Sequence, residues 1–527
     1  MSSPNTSTTI SEATVDPRRW LALVVIAAAS LMVVLDASIV NIALPHAQTN
    51  LHISDADRQW VITAYTLAFG GLLLLGGRIA DFVGRKRMFL IGLVGFASAS
   101  ALGGFAKNAV MLFGARALQG AFAALLAPAA LSLLTLTFVE QRERARAFGV
   151  YGAVQGGGGA VGLILGGVLT QYASWRWCLF VNIPIAIVTV FAALPTVRES
   201  RAEGNRHYDV PGAILVTGGL VALVYSLAEA AKDDVGWLAA PTLGLFATAA
   251  VLLVAFIAVE ARTAHPLLPL RVVLDRTRGG SFIASLLIGT GMFAMFLFLT
   301  YYFQVNLGYA PLTSGLAFLP FSGGIIVTAV LASSLLPRFG PKPLMVIGMV
   351  MGTVGLFWLT RLDSSSTWVL GVLPSEIVMG VGLGLVFVPL SSVALLGIAP
   401  RDAGVASALL NTTNQIGGAL GVALLNTLYA SALTVYLTSH YPGPGGARAF
   451  QLAGFLYGYR IAFIVGGCTA LDISGMCLHL TVALPLQLLQ VLQRTASESL
   501  CSPLFHINKN GSGNKTSMSG LYERRTR

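Results

Sequence analysis

Asp36 is an acidic residue inside a long apolar segment, and its chemistry is the most informative in the sequence. The segment covers residues 20–45. Its length and composition are typical of a membrane-spanning helix, where an ionised carboxylate costs roughly 3 kcal/mol at the centre. Such groups usually face a partner or a wet cavity and often carry protons or ligands. Asp36 is therefore a candidate for exchanging a proton for a polar or cationic ligand, and a permanently paired aspartate is the alternative.

Arg116 is a cation inside another apolar segment. A guanidinium stays protonated at any usable pH, so within a membrane it must face water, the interior of the helix bundle or backbone carbonyls. A functional role and a purely structural role in helix packing both remain open.

Amide side chains also occur inside apolar segments. They are candidates for lining a substrate cavity, and hydrogen bonds between helices explain each of them equally well. The candidates are Asn41, Gln119, Gln155, Asn182, Gln304 and Asn414, with Asn411 and Gln415 beside the last.

The composition predicts an all-α polytopic membrane protein. The chain has 527 residues, is 55% hydrophobic and 10% charged, and has a mean hydropathy of +0.76. Soluble domains are about 25% charged. The four cysteines form no C-x-x-C pair, and we find no metal-ligand cluster, phosphate loop or nucleophile–base set. We therefore expect no metal, no cofactor and no enzymatic activity.

The apolar pattern predicts fourteen membrane spans, the first at 20–45 and the last at 459–485. Basic residues are concentrated in alternate loops, which places those loops and both termini in the cytoplasm. The net charge of +11 is explained by this topology and requires no nucleic-acid partner.

Two pairs of similar segments indicate an internal repeat. The loop 77–87 is similar to 336–342, and Gly158–Gly162 is similar to Gly417–Gly421 at a nearly equal offset. Duplicated halves are typical of transporters that alternate around a central site. The predicted domains are a cytoplasmic tail, a six-helix bundle, a linker with two extra helices, a second six-helix bundle and a polar cytoplasmic tail. Their limits are 1–19, 20–195, 196–279, 280–485 and 486–527.

Several motifs carry a family resemblance. They are Leu35–Pro45, Gly77–Arg87, Arg116–Gly120, Trp175–Pro184, Pro400–Gly404 and Gly458–Arg460. On these residues the chain resembles the major facilitator superfamily and, within it, the fourteen-span drug:proton antiporters. The resemblance implies two six-helix bundles around a central cavity, with two inserted helices, and it implies that Asp36 and Arg116 couple proton movement to transport.

The same resemblance implies roles for two glycine-containing motifs. It makes Gly77, Asp81, Gly84, Arg85 and Lys86 a gating loop, for which a purely topogenic basic loop is the alternative. It also makes the fifth span a helix-packing antiporter motif. The glycines of that motif are Gly158, Gly162, Gly166 and Gly167, and Leu163 stands where the family has proline.

Together these features predict a secondary active transporter that exports amphipathic drugs or antibiotics in exchange for protons. We expect a monomer in a bacterial cell membrane, whose partners are the small substrate, protons and the lipid bilayer. A nutrient symporter or uniporter of the same fold and a non-transporting membrane sensor are the alternatives.

Overall fold

A computed structural model describes most of the chain up to residue 476. The described residues are 18–138, 140–201, 209–232, 235–263, 266–268, 270–394, 403–440 and 446–476. Within these ranges the backbone is almost entirely helical and contains no strand. The predicted C-terminal tail, 486–527, lies outside the described residues.

Fourteen helices in the described ranges are long and apolar enough to span a bilayer, which confirms the predicted number. They are α1 Arg19–Leu51, α2 Trp60–Val83, α3 Arg85–Gly104, α4 Ala109–Thr137, α5 Arg142–Tyr172, α6 Trp177–Thr196, α7 Val210–Ala230, α8 Ala240–Arg262, α9 Arg278–Asn306, α10 Pro311–Phe339, α11 Pro341–Leu359, α12 Trp368–Ala394, α13 Ala406–Ser439 and α14 Gly446–Ala470.

The boundaries of the first and last spans differ from the prediction. α1 continues through Pro45 and ends only where His52 adopts a left-handed conformation, with φ 52°. A proline removes one backbone donor but does not by itself end a helix that its neighbours hold in place. α14 begins at Gly446, before the predicted start at residue 459. Its first turns contain polar residues such as Arg448, which form helix but were not recognised by the apolar pattern used for the prediction. The helix itself continues beyond Ala470 to Met476, and the rest of the predicted last span, 477–485, lies outside the described residues.

Helices α1 to α6 share one hydrophobic core, to which α1 contributes Met32, α3 contributes Phe89 and α4 contributes Leu126. Glycines allow the closest contacts in this half. A Cβ added to Gly76 of α2 would lie 2.1 Å from the carbonyl oxygen of Ala124 in α4. Small residues at helix contacts let backbones approach in this way.

The second half repeats the helix pairing of the first. The contacts of α1 with α5, α2 with α4 and α3 with α4 correspond to those of α9 with α13, α10 with α12 and α11 with α12. Gly84 and Gly340 precede the third helix of each half, and both have a positive φ, 129° and 74°. The limits of the predicted domains nevertheless stay a prediction.

The two inserted helices, α7 and α8, pack beside both halves. Thr217 of α7 lies against Gly71 of α2, since a Cβ on that glycine would be 2.9 Å from the threonine Oγ1. On the other side, Thr427 of α13 donates a hydrogen bond to the carbonyl oxygen of Leu227 in α7, at 2.7 Å. The insertion therefore contacts α2 of the first half and α13 of the second.

Candidate transport site

Asp36 and Arg116 form a buried ion pair between α1 and α4. Arg116 NH1 lies 2.5 Å from Asp36 Oδ2, and the side chains are 2% and 0% exposed. The other carboxylate oxygen accepts hydrogen bonds from Gln119 Nε2 at 3.0 Å and Asn182 Nδ2 at 2.9 Å. Both oxygens of the carboxylate are therefore satisfied by protein groups.

A second set of contacts fixes the groups that surround the ion pair. Ser100 Oγ accepts from both Gln119 and Asn182 at 2.9 Å and donates to the carbonyl oxygen of Leu179 at 2.8 Å. The five side chains of Asp36, Ser100, Arg116, Gln119 and Asn182 are called the Asp36 network below. A buried ion pair is tolerated only when such additional hydrogen bonds compensate for its lost hydration.

Arg116 is also held from the side of α2. Its Nε donates to the carbonyl oxygen of Val61 at 2.9 Å, and the guanidinium lies 4.4 Å from the centre of the Tyr65 ring. Tyr65 also lines the large cavity described next. The ring therefore stands between the cavity and the Asp36 network.

A cavity of about 1060 Å³ lies between the two halves. Its wall includes Met292 and Phe293 of α9, Glu260 of α8 and Tyr151 of α5. It extends to the end of the bundle that carries Gly84, where Arg78 takes part in the lining. This volume is slightly above the range that is usual for small-molecule sites, about 300–1,000 Å³.

Some of the amide side chains that the sequence suggested for a substrate cavity line the cavity, and others do not. Gln155 and Asn414 line the cavity, and so do Asn411 and Gln415. Asn414 Nδ2 in addition donates to the carbonyl oxygen of Ser285 at 3.2 Å.

The other four amides lie outside the cavity wall, which corrects their expected placement. Gln119 and Asn182 bind Asp36 instead. Asn41 donates to Ala37 O within its own helix, at 2.9 Å. Gln304 of α9 donates to Ile42 O in α1, also at 2.9 Å, and so links the halves. In each case the amide nitrogen donates a hydrogen bond to a group inside the protein.

The predicted gating loop is held by contacts on both sides of Gly84. Arg85 NH2 and Asp81 Oδ1 form an ion pair at 2.8 Å. Glu199, beyond the end of α6, accepts from the backbone N–H groups of Lys86 and Arg87 at 3.1 and 3.2 Å. An acidic group at a helix N-terminus is stabilising. Glu199 thus connects the start of α3 to the end of α6, although no sequence motif marked it.

The predicted glycine motif of α5 forms two different contacts. Gly158, Gly162 and Gly166 face α1; a Cβ on Gly162 would lie 2.9 Å from Leu35 O. Gly167 instead faces the second half, since a Cβ there would lie 2.5 Å from the Cα of Leu312. The cavity wall includes Gly77 of the predicted gating loop and Gln155 of α5.

The halves are joined at the end opposite Gly84 by a cluster that the sequence analysis missed. Arg58, 1% exposed, donates from Nε to Asn426 Oδ1 at 3.0 Å. Its guanidinium lies 4.1 Å from the ring centre of Tyr301 and 4.6 Å from that of Tyr429. Asp55 adds a contact at 3.5 Å to Arg58 NH1. These five residues are called the Arg58 latch below.

Comparisons with known proteins agree with this architecture. The model of the Major Facilitator Superfamily matches residues 26–422. The chain is 50% identical to the puromycin resistance protein pur8 of Streptomyces alboniger, over 86% of this chain and 89% of that protein. It is 39% identical to the cephamycin export protein CmcT of Amycolatopsis lactamdurans, over 82% of this chain and 90% of that protein.

Solved structures show the same fold at low sequence identity. A bacterial homolog of the human lysosomal transporter Spinster, in an inward-facing and occupied conformation, has a TM-score of 0.61 at 14% identity, covering 93% of this chain and 99% of that one. An auto-inhibited peptide transporter of the POT family has a TM-score of 0.62 at 17% identity, covering 89% and 98%. The chain therefore belongs to the Major Facilitator Superfamily, as a multi-pass transporter with fourteen membrane helices and not as an enzyme.

Proposed function

We propose that this protein exports amphipathic antibiotics or drugs in exchange for protons, by alternating access of one central cavity. The observation that carries the proposal is the position of the Asp36 network directly behind the wall of a cavity of about 1060 Å³. The names of the relatives, which are resistance and export proteins, support the direction of transport. The bacterial sources of the relatives support a bacterial cell membrane, and the predicted topology places both termini in the cytoplasm. We expect the protein to act as a monomer.

The proposed orientation makes this conformation open to the cytoplasm. Basic residues of the predicted inner loops, such as Arg85 and Lys86, lie at the Gly84 end, into which the cavity extends. At the opposite end the Arg58 latch joins the halves. A substrate would enter from the cytoplasm or the inner leaflet, and it would leave after the Gly84 end closes and the latch opens.

The ion pair supports the proposed proton coupling. Protonation of Asp36 would remove the charge that Arg116 neutralises, and would leave a buried cation without its partner. The free energy of the network therefore depends on whether the proton is bound. Since Asp36 is fully buried here, we expect water to reach it only after a rearrangement, which ties proton exchange to the conformational change. Inward movement of one proton supplies about 2.3 kcal/mol per 100 mV of membrane potential.

Transport in proteoliposomes under an imposed pH gradient tests the proposal. We expect the wild type to move a drug uphill and to dissipate the gradient when drug is added. Asp36→Asn should bind the drug but lose gradient-driven transport, because the asparagine cannot exchange a proton. Asp363→Asn is the matched control, since that carboxylate lies in the exposed loop before α12.

The outcomes separate the candidate functions. Intact uphill transport by Asp36→Asn would refute coupling through this residue. If the rate of drug transport by the wild type does not depend on the pH gradient, the protein is a uniporter. If protons and drug move in the same direction, it is a symporter. If the wild type transports no substrate at all, the proposed export function is refuted and the non-transporting sensor is favoured.

A further inference from the structure

The inserted helices contribute a pair of acidic side chains to the cavity region that the proposed mechanism does not use. Glu260 lies near the end of α8, is 3% exposed and takes part in the cavity wall. Asp209 precedes α7 and is 7% exposed. Both residues belong to the insertion, which has no counterpart in the repeated halves.

One oxygen of each carboxylate is used by the backbone. Asp209 Oδ1 accepts from Gly212 N at 2.8 Å and caps the start of α7. Glu260 Oε2 accepts from Leu268 N at 3.0 Å and holds the segment that follows α8. Both side chains are thus fixed in place by one oxygen each.

The remaining oxygens, Asp209 Oδ2 and Glu260 Oε1, are buried and have no hydrogen-bond partner. They converge on Gly212, since a Cβ added to that glycine would lie 2.5 Å from the first and 2.9 Å from the second. Two ionised carboxylates at such a position repel each other, and buried acceptors without partners are costly. A proton or another cation between them would remove both penalties.

The charged side chains of the cavity wall leave Glu260 available to a proton or to an organic cation. Other charged side chains of the cavity wall in the described ranges are Arg78, Asp81 and Arg271. Asp81 is already paired with Arg85. Glu260 is therefore the acidic group in the wall whose free oxygen has no basic partner.

We propose that Glu260 and Asp209 form a subsite for the positively charged group of a substrate, at which an organic cation replaces a proton shared by the two carboxyls. The inference rests on the proposed export function and adds a substrate class to it, namely amphipathic cations. It also gives the inserted helices a role in substrate selection.

The test compares a cationic probe with a neutral one on the purified full-length protein in lipid nanodiscs. Ethidium carries a permanent positive charge, and Nile red is uncharged; both report binding by fluorescence polarisation. Glu260→Gln and Asp209→Asn remove the charges but keep the oxygens that accept from Leu268 N and Gly212 N. Glu229→Gln is the matched control, because that residue pairs with Lys232 at the other end of α7.

We expect Glu260→Gln and Asp209→Asn to bind ethidium about tenfold more weakly, the equivalent of losing one charge-assisted contact, and Nile red as the wild type does. Ethidium binding to the wild type should release protons into a weakly buffered solution, and both variants should release fewer. Unchanged ethidium affinity in both variants overturns the subsite while leaving export untouched. Equal weakening of both probes, with a lowered melting temperature, assigns the pair a structural role and also overturns it. If the wild type binds neither probe, the subsite is overturned, whereas the proposed function is decided separately by drug transport in proteoliposomes.

Discussion

The Arg58 latch predicts that one substitution far from the cavity changes which end of the transporter is open. Arg58 belongs to the loop between α1 and α2, whereas Asn426, Tyr301 and Tyr429 belong to the second half. Arg58→Leu keeps a large side chain at this position but removes the hydrogen bond and both ring contacts. The state in which this end is closed should lose stability relative to the state in which it is open.

The structure allows the size of the effect to be worked out. A hydrogen bond from a charged donor contributes about 1.5–3 kcal/mol, and a desolvated cation–π contact contributes about 2 kcal/mol. The variant no longer buries a cation, which offsets part of the loss. We expect a net change of about 3 kcal/mol, which shifts the closed-to-open ratio roughly 150-fold.

Distances between spin labels measure this ratio. Cysteines replacing the exposed residues His52 and Ala310, in a variant without native cysteines, place one label on each half at the latch end. Arg58→Leu should show a new population at longer distance. Arg176→Leu is the control, because Arg176 stacks on Trp175 and donates to carbonyls of its own half. The reasoning is refuted if Arg58→Leu keeps the wild-type distance distribution, or if the control shifts equally.

Two further substitutions test the packing and the network. Gly417→Ala would place a Cβ 1.7 Å from Leu286 O, so α9 and α13 must separate. We expect the free energy of unfolding to fall by about 1–3 kcal/mol, seen as a lower melting temperature. Gly114→Ala is the control, because a Cβ there meets nothing within 4 Å and should change the melting temperature little. Ser100→Ala removes the hydroxyl that accepts hydrogen bonds from two amides of the Asp36 network and should destabilise the protein by about 1–3 kcal/mol. Ser98→Ala is the control and should not destabilise it, because that hydroxyl bonds only within α3. Equal melting temperatures for the two alanine variants would contradict this expectation.

The sequence was sufficient for the membrane class, for the number of helices and for singling out Asp36 and Arg116, which the structure pairs. Hydropathy is a local property of the chain, and every span must satisfy its own backbone, so the apolar pattern determines the helices. Asp36 and Arg116 stood out for the same reason, because a charge in an apolar span needs a special environment.

Which polar groups come into contact depends on how the helices pack. Gln119 and Gln155 were indistinguishable as amides in apolar spans, yet the first binds Asp36 and the second lines the cavity. Their positions depend on the rotation of each helix about its axis, which packing against several neighbours sets and which no short stretch of sequence specifies.

The same reason explains why the Arg58 latch and the Asp209–Glu260 pair were missed. Arg58 and Asn426 are 368 positions apart, whereas Arg116 and Asp36 are separated by 80. Nothing in the composition around Arg58 distinguishes it from an ordinary charged residue in a loop. Its burial comes from two halves of the chain closing over it, and such long-range contacts follow from how whole helices pack rather than from local preference.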